Sequence, residues 1–385
     1  MSKPFVKWPG GKSEEVGIIH QYKPDHINNY IEPFLGGGAP FLSFNNMEYQ
    51  AAYLNDFSDE LIDLYTMIKE RNELFIDSVC YIWSYWCFTG ELAREWQEPV
   101  REMYGRYKEN VITDDELKSE VNALIEQNTD RIFAELPKAL NVSSDRLITE
   151  FKKSVLSKLK NTKRKEGKDG DLPEEDYQSN FESGIRASLY TYYRYLYNKS
   201  TQYGLSRELH VALFFYLREF CYSSMFRYNN SGEFNVPYGG LSYNNKNFGL
   251  KIAYIMNDDD LHQRLDQANL YNLDFEAFLR GIEIDQNDFM FLDPPYDGGF
   301  SDYANNVFDQ EDQKRLADYL IDECPCRFML IIKNTDFIAD LYNGKPGIYV
   351  TGFGKDYRVS FMDRNNKSVK HLIISNYELP EVTTE

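Results

Sequence analysis

The sequence predicts an α/β protein: a mostly parallel sheet with a mainly helical region inserted into it. Three observations predict it. Residues 29–70 read as strand, Gly-rich turn, strand ending in an acid, then helix, which is how a parallel α/β sheet opens. From about 75 to 177 the texture changes to charged helical patterns. Near residue 289 buried-strand patterns return and continue to about 374.

The elements follow in order. Residues 29–34 (Asn-Tyr-Ile-Glu-Pro-Phe) form a short apolar strand leading into Leu35-Gly36-Gly37-Gly38-Ala39. Residues 51–56 form a second strand, and Ser58 caps a helix whose Leu61, Leu64, Tyr65 and Ile68 share one face. Thr113-Asp114-Asp115-Glu116 is a capping box ahead of Leu117, Val121, Leu124 and Ile125. Residues 152–168 hold the one dense basic run, which ends in an acidic loop at 169–176. Residues 206–222 are a helix with little polar face, followed by a Gly/Asn/Tyr-rich loop over 223–248. Phe289-Met290-Phe291-Leu292 is a strand, Asp309 starts a helix, and residues 328–332, 347–350 and 369–374 supply further strands.

Composition narrows the function. A chain of 385 residues, 42% hydrophobic and 27% charged, is long enough for two to three domains at about 150 residues each and is neither a disordered tail nor a coiled-coil rod. No window approaches the roughly 18 to 20 apolar residues of a membrane helix, and the N-terminus has no apolar core of a signal peptide. Five cysteines without a CxxC pair fit a reducing compartment. Asp and Glu (61) outnumber Lys and Arg (42), for a net charge of −19. Taken alone, that acidity speaks against a nucleic-acid partner.

Four segments carry chemistry. Asp293-Pro294-Pro295-Tyr296 follows an apolar strand, at the edge where open α/β sheets place their ligands. The prolines remove two N–H donors, so the segment offers carbonyl acceptors, a carboxylate and an aromatic face. That set suits a planar aromatic amine: two acceptors take its N–H bonds and Tyr296 stacks on its ring. None of these side chains is a good nucleophile, which favours direct transfer to the substrate nitrogen. Glu32-Pro33-Phe34-Leu35-Gly36-Gly37-Gly38 lets a ligand approach the backbone closely but is not GxGxxG. Asp56, about 20 residues past Gly36, stands where an acid holds ribose hydroxyls. Lys7-Trp8-Pro9-Gly10-Gly11-Lys12-Ser13 imitates the end of a P-loop, yet Val6 stands where the first P-loop glycine belongs, so it reads instead as a pocket wall. Residues 227–239 offer Arg and Asn for base edges and aromatics for stacking, or else form a plain polar loop. The five histidines show no ligand spacing and Cys324-Pro325-Cys326 lacks partners, so no metal is expected.

Taken together and in their order along the chain, the segments resemble the Dam-type (alpha-group, DPPY) DNA N6-adenine methyltransferases. Lys7 to Lys12 is similar to that family's N-terminal cofactor motif, Glu32 to Gly38 to its Gly-rich loop, Asn55-Asp56 to its ribose-binding acid and Asp293 to Tyr296 to its catalytic motif. Gly232-Glu233-Phe234-Asn235-Val236-Pro237, Lys333-Asn334-Thr335-Asp336 and Tyr357-Arg358-Val359-Ser360 also fit. The resemblance covers about 1–75 and 205–378 and leaves out 76–180.

The resemblance implies a Rossmann-like methyltransferase sheet with a C-terminal antiparallel strand, formed by 1–75 and 275–385, and a helical target-recognition region over 76–274. It implies S-adenosyl-L-methionine as cofactor and a flipped adenine in double-stranded DNA as target. Asp293, Pro294, Pro295 and Tyr296 take the catalytic roles. Trp8, Lys12, Phe34, Gly36, Gly38, Asp56 and Asp293 hold the cofactor, and Tyr222, Arg227, Asn229, Asn235 and Arg358 are candidate DNA contacts. It further implies a cytoplasmic prokaryotic or phage-encoded enzyme of the restriction-modification or orphan kind, monomeric or weakly dimeric, with the insertion open to a protein partner. Two departures, Tyr222-Ser223-Ser224 and Gly239-Gly240-Leu241, bear on the recognised sequence. The alternatives are methylation of cytosine N4, RNA adenine or a protein amide, and a non-catalytic DNA-binding homologue. The acidity then requires positive charge to be concentrated, around 152–168, Arg227 and Arg358.

Overall fold

A computed structural model describes residues 2–45, 47–296, 308–355 and 369–379. These fall into two compact units, 1–70 with 257–385, and 71–256.

The first unit is built on one seven-stranded sheet. Its strands are β1 (Asn29–Glu32), β2 (Ala51–Asn55), β3 (Ala268–Tyr271), β4 (Phe289–Leu292), β5 (Arg327–Lys333), β6 (Tyr349–Lys355) and β7 (Val369–Ser375), in the order β3-β2-β1-β4-β5-β7-β6. β1 to β5 pair in parallel, whereas β7 runs antiparallel to both β5 and β6. β4 is buried at every position and β5 at all but its ends, as expected of parallel strands covered on both faces. Asp288, buried just before β4, accepts hydrogen bonds from the backbone and side chain of Asn29, at 3.0 Å each, and so sets the register of β4 against β1.

The local signals act where the sequence places them. Ser58 accepts from Leu61 N at the start of helix Asp59–Lys69, and Asp309 forms a capping box on helix Gln310–Asp322. β3 departs from the expectation that 257–274 belongs with the inserted region. The strand is four residues long and mostly half-exposed, so it shows no apolar run, and only its pairing with β2 reveals it.

The second unit is helical. Its long members are Glu73–Glu95, Ser144–Asp169, Glu174–Asn198 and Arg207–Phe220. The Thr113 capping box forms, with both reciprocal bonds. At its core Trp86 packs on Phe220 (ring centroids 4.4 Å apart), and the buried Arg186 guanidinium lies 4.3 Å from the Trp86 ring. The basic run lies within helix Ser144–Asp169, and two of its lysines are paired to acids of the same unit, Lys152 with Glu126 and Lys160 with Asp114. Among the described residues no helix is long and apolar enough to cross a membrane.

Candidate active site

The strand order reverses between β1 and β4: the chain runs outward through β2 and β3 on one side and through β5 on the other. Such a switch point opens a crevice at the carboxyl ends of the strands. Three loops are tied together there by one buried amide. Asn55 Nδ2 donates to the Pro33 carbonyl at 3.1 Å and the Leu273 carbonyl at 3.0 Å, while its Oδ1 accepts from Leu273 N at 2.9 Å. The ends of β1, β2 and β3 are thus linked through one side chain. Sequence reasoning singles out Asn55 only as the neighbour of Asp56, because its partners stand far away in the chain.

The Gly-rich loop is shaped by its lack of side chains. Gly36 (φ 51°) and Gly38 (φ 65°) adopt left-handed backbone. A Cβ on Gly36 would stand 2.8 Å from Trp8 Cδ1, so the Trp8 ring lies directly against the loop. Gly36 N donates to Asp56 Oδ2 at 2.8 Å and Ser58 N to Asp56 Oδ1 at 2.9 Å. Burial pushes the Asp56 carboxyl up, and these backbone N–H groups pull against it.

The Asp293–Tyr296 segment continues from β4 on the other side of the switch point. The Lys12 ammonium, 2% exposed, has three protons and three acceptors: it is ion-paired to Asp293 Oδ1, and it donates to Tyr296 OH and to the Gly10 carbonyl at 3.1 Å each. The N-terminal Gly-Gly-Lys turn and the DPPY motif therefore form a single charged cluster. Gln313, fully buried, donates to the Pro295 carbonyl at 2.7 Å. His371, buried on β7, places its ring 5.7 Å from that of Tyr296. Neither Gln313 nor His371 carries a signal in the sequence, since each reaches the motif only through the sheet and its covering helix.

Glu32 ends β1 between Asp56 and Asp293. It is buried, and Tyr30 OH donates to its Oε2 at 2.8 Å. Burial pushes its carboxyl well above the usual range, and the negative charges of Asp293 and Asp56 add to this against the Tyr30 bond. The consequence for stability has a definite sign. Once the pH exceeds about 4.3 the unfolded chain releases the Glu32 proton while the folded chain keeps it, so stability falls as pH rises. Glu32→Gln is expected to gain on the wild type in melting temperature as pH is raised from about 4.5 to 8, and a constant difference across that range contradicts the assignment.

Phe34 faces an aromatic group rather than open space: its ring lies 5.6 Å from Phe275 and 5.5 Å, edge-on, from Phe308. Asp274 caps the helix that Phe275 opens and is ion-paired to Arg315 at 3.1 Å. Asp274 and Phe275 reach this edge through β3, the strand that the sequence pattern does not reveal.

The DNA candidates Tyr222, Arg227, Asn229 and Asn235 belong to the helical unit. Tyr222 and Arg227 are exposed. Asn229 instead shapes the backbone around it. Its Oδ1 accepts from Ser231 N (3.0 Å) and Glu233 N (2.9 Å), which closes the turn of the 226–236 hairpin. The Asn235 Oδ1 is buried, and its backbone pairs with Arg227 at 3.2 Å. Arg194 and Tyr190 of helix Glu174–Asn198 hold the hairpin by donating to the Val236 carbonyl at 2.8 and 3.0 Å. Arg358 lies outside the described residues.

A seven-stranded sheet with an antiparallel final pair, a Gly-rich turn after its first strand and a DPPY segment at its switch point defines the methyltransferase fold. The chain belongs to the D12 class N6 adenine-specific DNA methyltransferases, whose family model matches residues 8–85 and 105–352. It is 25% identical over 380 residues to the type II methyltransferase M.CviBI of Paramecium bursaria Chlorella virus NC1A, covering 97% of this chain and 100% of that one. It is also 25% identical over 356 residues to the type II methyltransferase M.MjaIII of Methanocaldococcus jannaschii, covering 89% and 88%. To the DNA adenine methylase of Haemophilus influenzae it is 22% identical over 354 residues, covering 89% and 83%. The protein is thus an adenine-specific DNA methyltransferase that acts on DNA with a methyl donor. The match corrects the expectation that 76–180 lies outside the family: it runs on through most of that stretch and leaves out 86–104.

Proposed function

We propose that the protein transfers the methyl group of S-adenosyl-L-methionine to N6 of an adenine turned out of duplex DNA, at the crevice between β1 and β4. One observation carries the reading. Lys12 holds the Asp293 carboxylate and the Tyr296 ring together at the switch point, beside a loop that has no side chains to block a ligand. When bound, the cofactor supplies a sulfonium methyl group ready for attack by a nitrogen lone pair.

The residues present fit such a cofactor. Asp56 accepts from Gly36 N and Ser58 N, and a carboxylate's remaining acceptor capacity suits ribose hydroxyls. Phe34 and Phe275 offer an aromatic wall for a base, and Trp8, Lys12, Gly36 and Gly38 border the methionine side. Toward the target, the Asp293 carboxylate, held in place by Lys12, receives an N6–H. Gln313 takes the Pro295 carbonyl, which leaves the Pro294 carbonyl for the second N6–H. With both protons bonded, the N6 lone pair is kept free for the methyl group. Tyr296 stacks on the base, braced by His371. Exposed Tyr222 and Arg227 serve DNA contact, while Asn229 and Asn235 shape the hairpin that carries Arg227. We assign the enzyme to the restriction-modification or orphan methylases of a prokaryote or phage, working in the cytoplasm as a monomer or weak dimer.

The test uses the full chain with labelled S-adenosyl-L-methionine on duplex DNA, RNA and protein. Label recovered as N6-methyladenine in duplex DNA is the expected result. Label confined to cytosine N4, to RNA or to protein overturns the reading, as does no transfer to any DNA.

A further inference from the structure

We propose that the outer face of helix Ser144–Asp169 binds the phosphate backbone of duplex DNA, adding a sequence-independent contact to the enzyme's target recognition. The proposal rests on the protein's acting on DNA.

The cations of this helix divide by face. Leu147, Phe151, Val155, Leu159 and Thr162 form its buried stripe. Lys152, Lys160 and Lys163 hold the flanks to the same unit, pairing with Glu126 at 2.6 Å, with Asp114, and with Asn110 Oδ1 at 2.9 Å. Lys153, Arg164 and Lys168 lie on the exposed side and pair with no acid among the described residues. Their spacings of 11 and 4 residues put them on one face. Ser157 and Asn161 stand between them, and Asn161 Nδ2 donates to Ser157 Oγ at 3.4 Å. From 151 to 168 the chain has eight Lys or Arg and one acid, Glu166, in a molecule of net charge −19. That acid is buried and turned inward, accepting from Tyr104 OH at 2.5 Å and Lys108 at 3.1 Å.

The chemistry of the stripe selects the partner. A protein interface needs an apolar or aromatic centre, and the exposed positions 149, 153, 157, 161, 164, 165 and 168 carry none. A row of cations separated by hydroxyl and amide donors matches a line of phosphates. At 1.5 Å per residue the stretch from Lys153 to Lys168 spans about 22 Å, roughly six base-pair steps of one strand. In a chain of net charge −19, this face adds local attraction for phosphates that the overall charge does not provide.

The experiment compares the full-length wild type, the triple variant Lys153→Gln/Arg164→Gln/Lys168→Gln and the flank variant Lys152→Gln. Binding to a labelled duplex of about 40 base pairs of arbitrary sequence is measured across salt concentrations. The triple variant is expected to flatten the slope of log K against log salt by about 2 to 3 and to lose at least about tenfold in affinity near 0.1 M salt. Its melting temperature and its turnover at saturating DNA stay at wild-type values, and Lys152→Gln leaves the slope unchanged. A triple variant with the wild-type slope overturns the proposal while wild-type methylation of DNA still stands. Capture of an acidic protein by this face with no change in the DNA slope overturns it equally. A wild type that neither binds nor methylates DNA removes the methyltransferase reading along with it.

Discussion

Asp293→Ala is expected to stop methyl transfer, with turnover lower by about a thousandfold or more, because it removes the acceptor proposed to hold and polarise the substrate N6. The same change strands a buried ammonium. Lys12 keeps only the Gly10 carbonyl and Tyr296 OH, and breaking a buried pair from one side costs about 3 kcal/mol. Asp293→Asn separates the two effects. It retains an oxygen for Lys12, so most of the stability loss disappears, yet it lacks the charge that orients N6, and the rate still falls by about a hundredfold. Single-turnover methylation and denaturant midpoints on both variants decide the matter. Wild-type turnover by Asp293→Asn would remove Asp293 from the chemistry. A rate loss in Asp293→Ala that vanishes once folding is restored at low temperature would make its role purely structural.

Gly38→Ala is expected to be the most damaging single substitution in the cofactor loop. Its backbone, at φ 65°, costs a side chain about 1 kcal/mol, and the added Cβ would lie 2.3 Å from Tyr65 OH. Tyr65 has no room to yield: it is fully buried, with its ring 4.7 Å from that of Phe5. A loss of about 3 to 4 kcal/mol follows from overpacking added to backbone strain, read as a shift in the urea midpoint. Gly36→Ala behaves differently, since its Cβ meets Trp8, which is partly exposed and can swing aside. It is expected to cost about 1 kcal/mol in stability but to weaken S-adenosyl-L-methionine binding by at least about tenfold, measured by equilibrium dialysis without turnover. Equal stability of Gly38→Ala and wild type would refute the packing account. Unchanged dialysis affinity in Gly36→Ala would refute the part given to the loop.

Much of the fold is legible in the sequence because its signals are local. Ser58, Thr113 and Asp309 bond to backbone N–H groups two or three residues away, so a cap can be read from a few letters. The strands at 289–292 and 328–332 are apolar runs that need no partner to be recognised. β3 is not legible, because a four-residue, half-exposed strand differs from a loop only through its neighbour. Asn229 has contacts that its letter does not announce. Its residue type suits a base edge, but in the hairpin its amide oxygen is committed to Ser231 and Glu233.

The sequence by itself determined the order of the motifs, the residue types they bring and hence the family, since glycine, proline and carboxylate restrict the backbone and the chemistry wherever they stand. Only the tertiary structure decided how those residues act on one another. Lys12 meets Asp293 across 281 residues, Gln313 removes one of the two proline carbonyls, and burial next to two other acids raises the Glu32 carboxyl. The acidity of the chain divides in the same way. Its total is a property of composition, but which lysines are paired and which face solvent depends on the helices packed beside them. Charge pairing and desolvation depend on distance in space, and distance along the chain does not specify it.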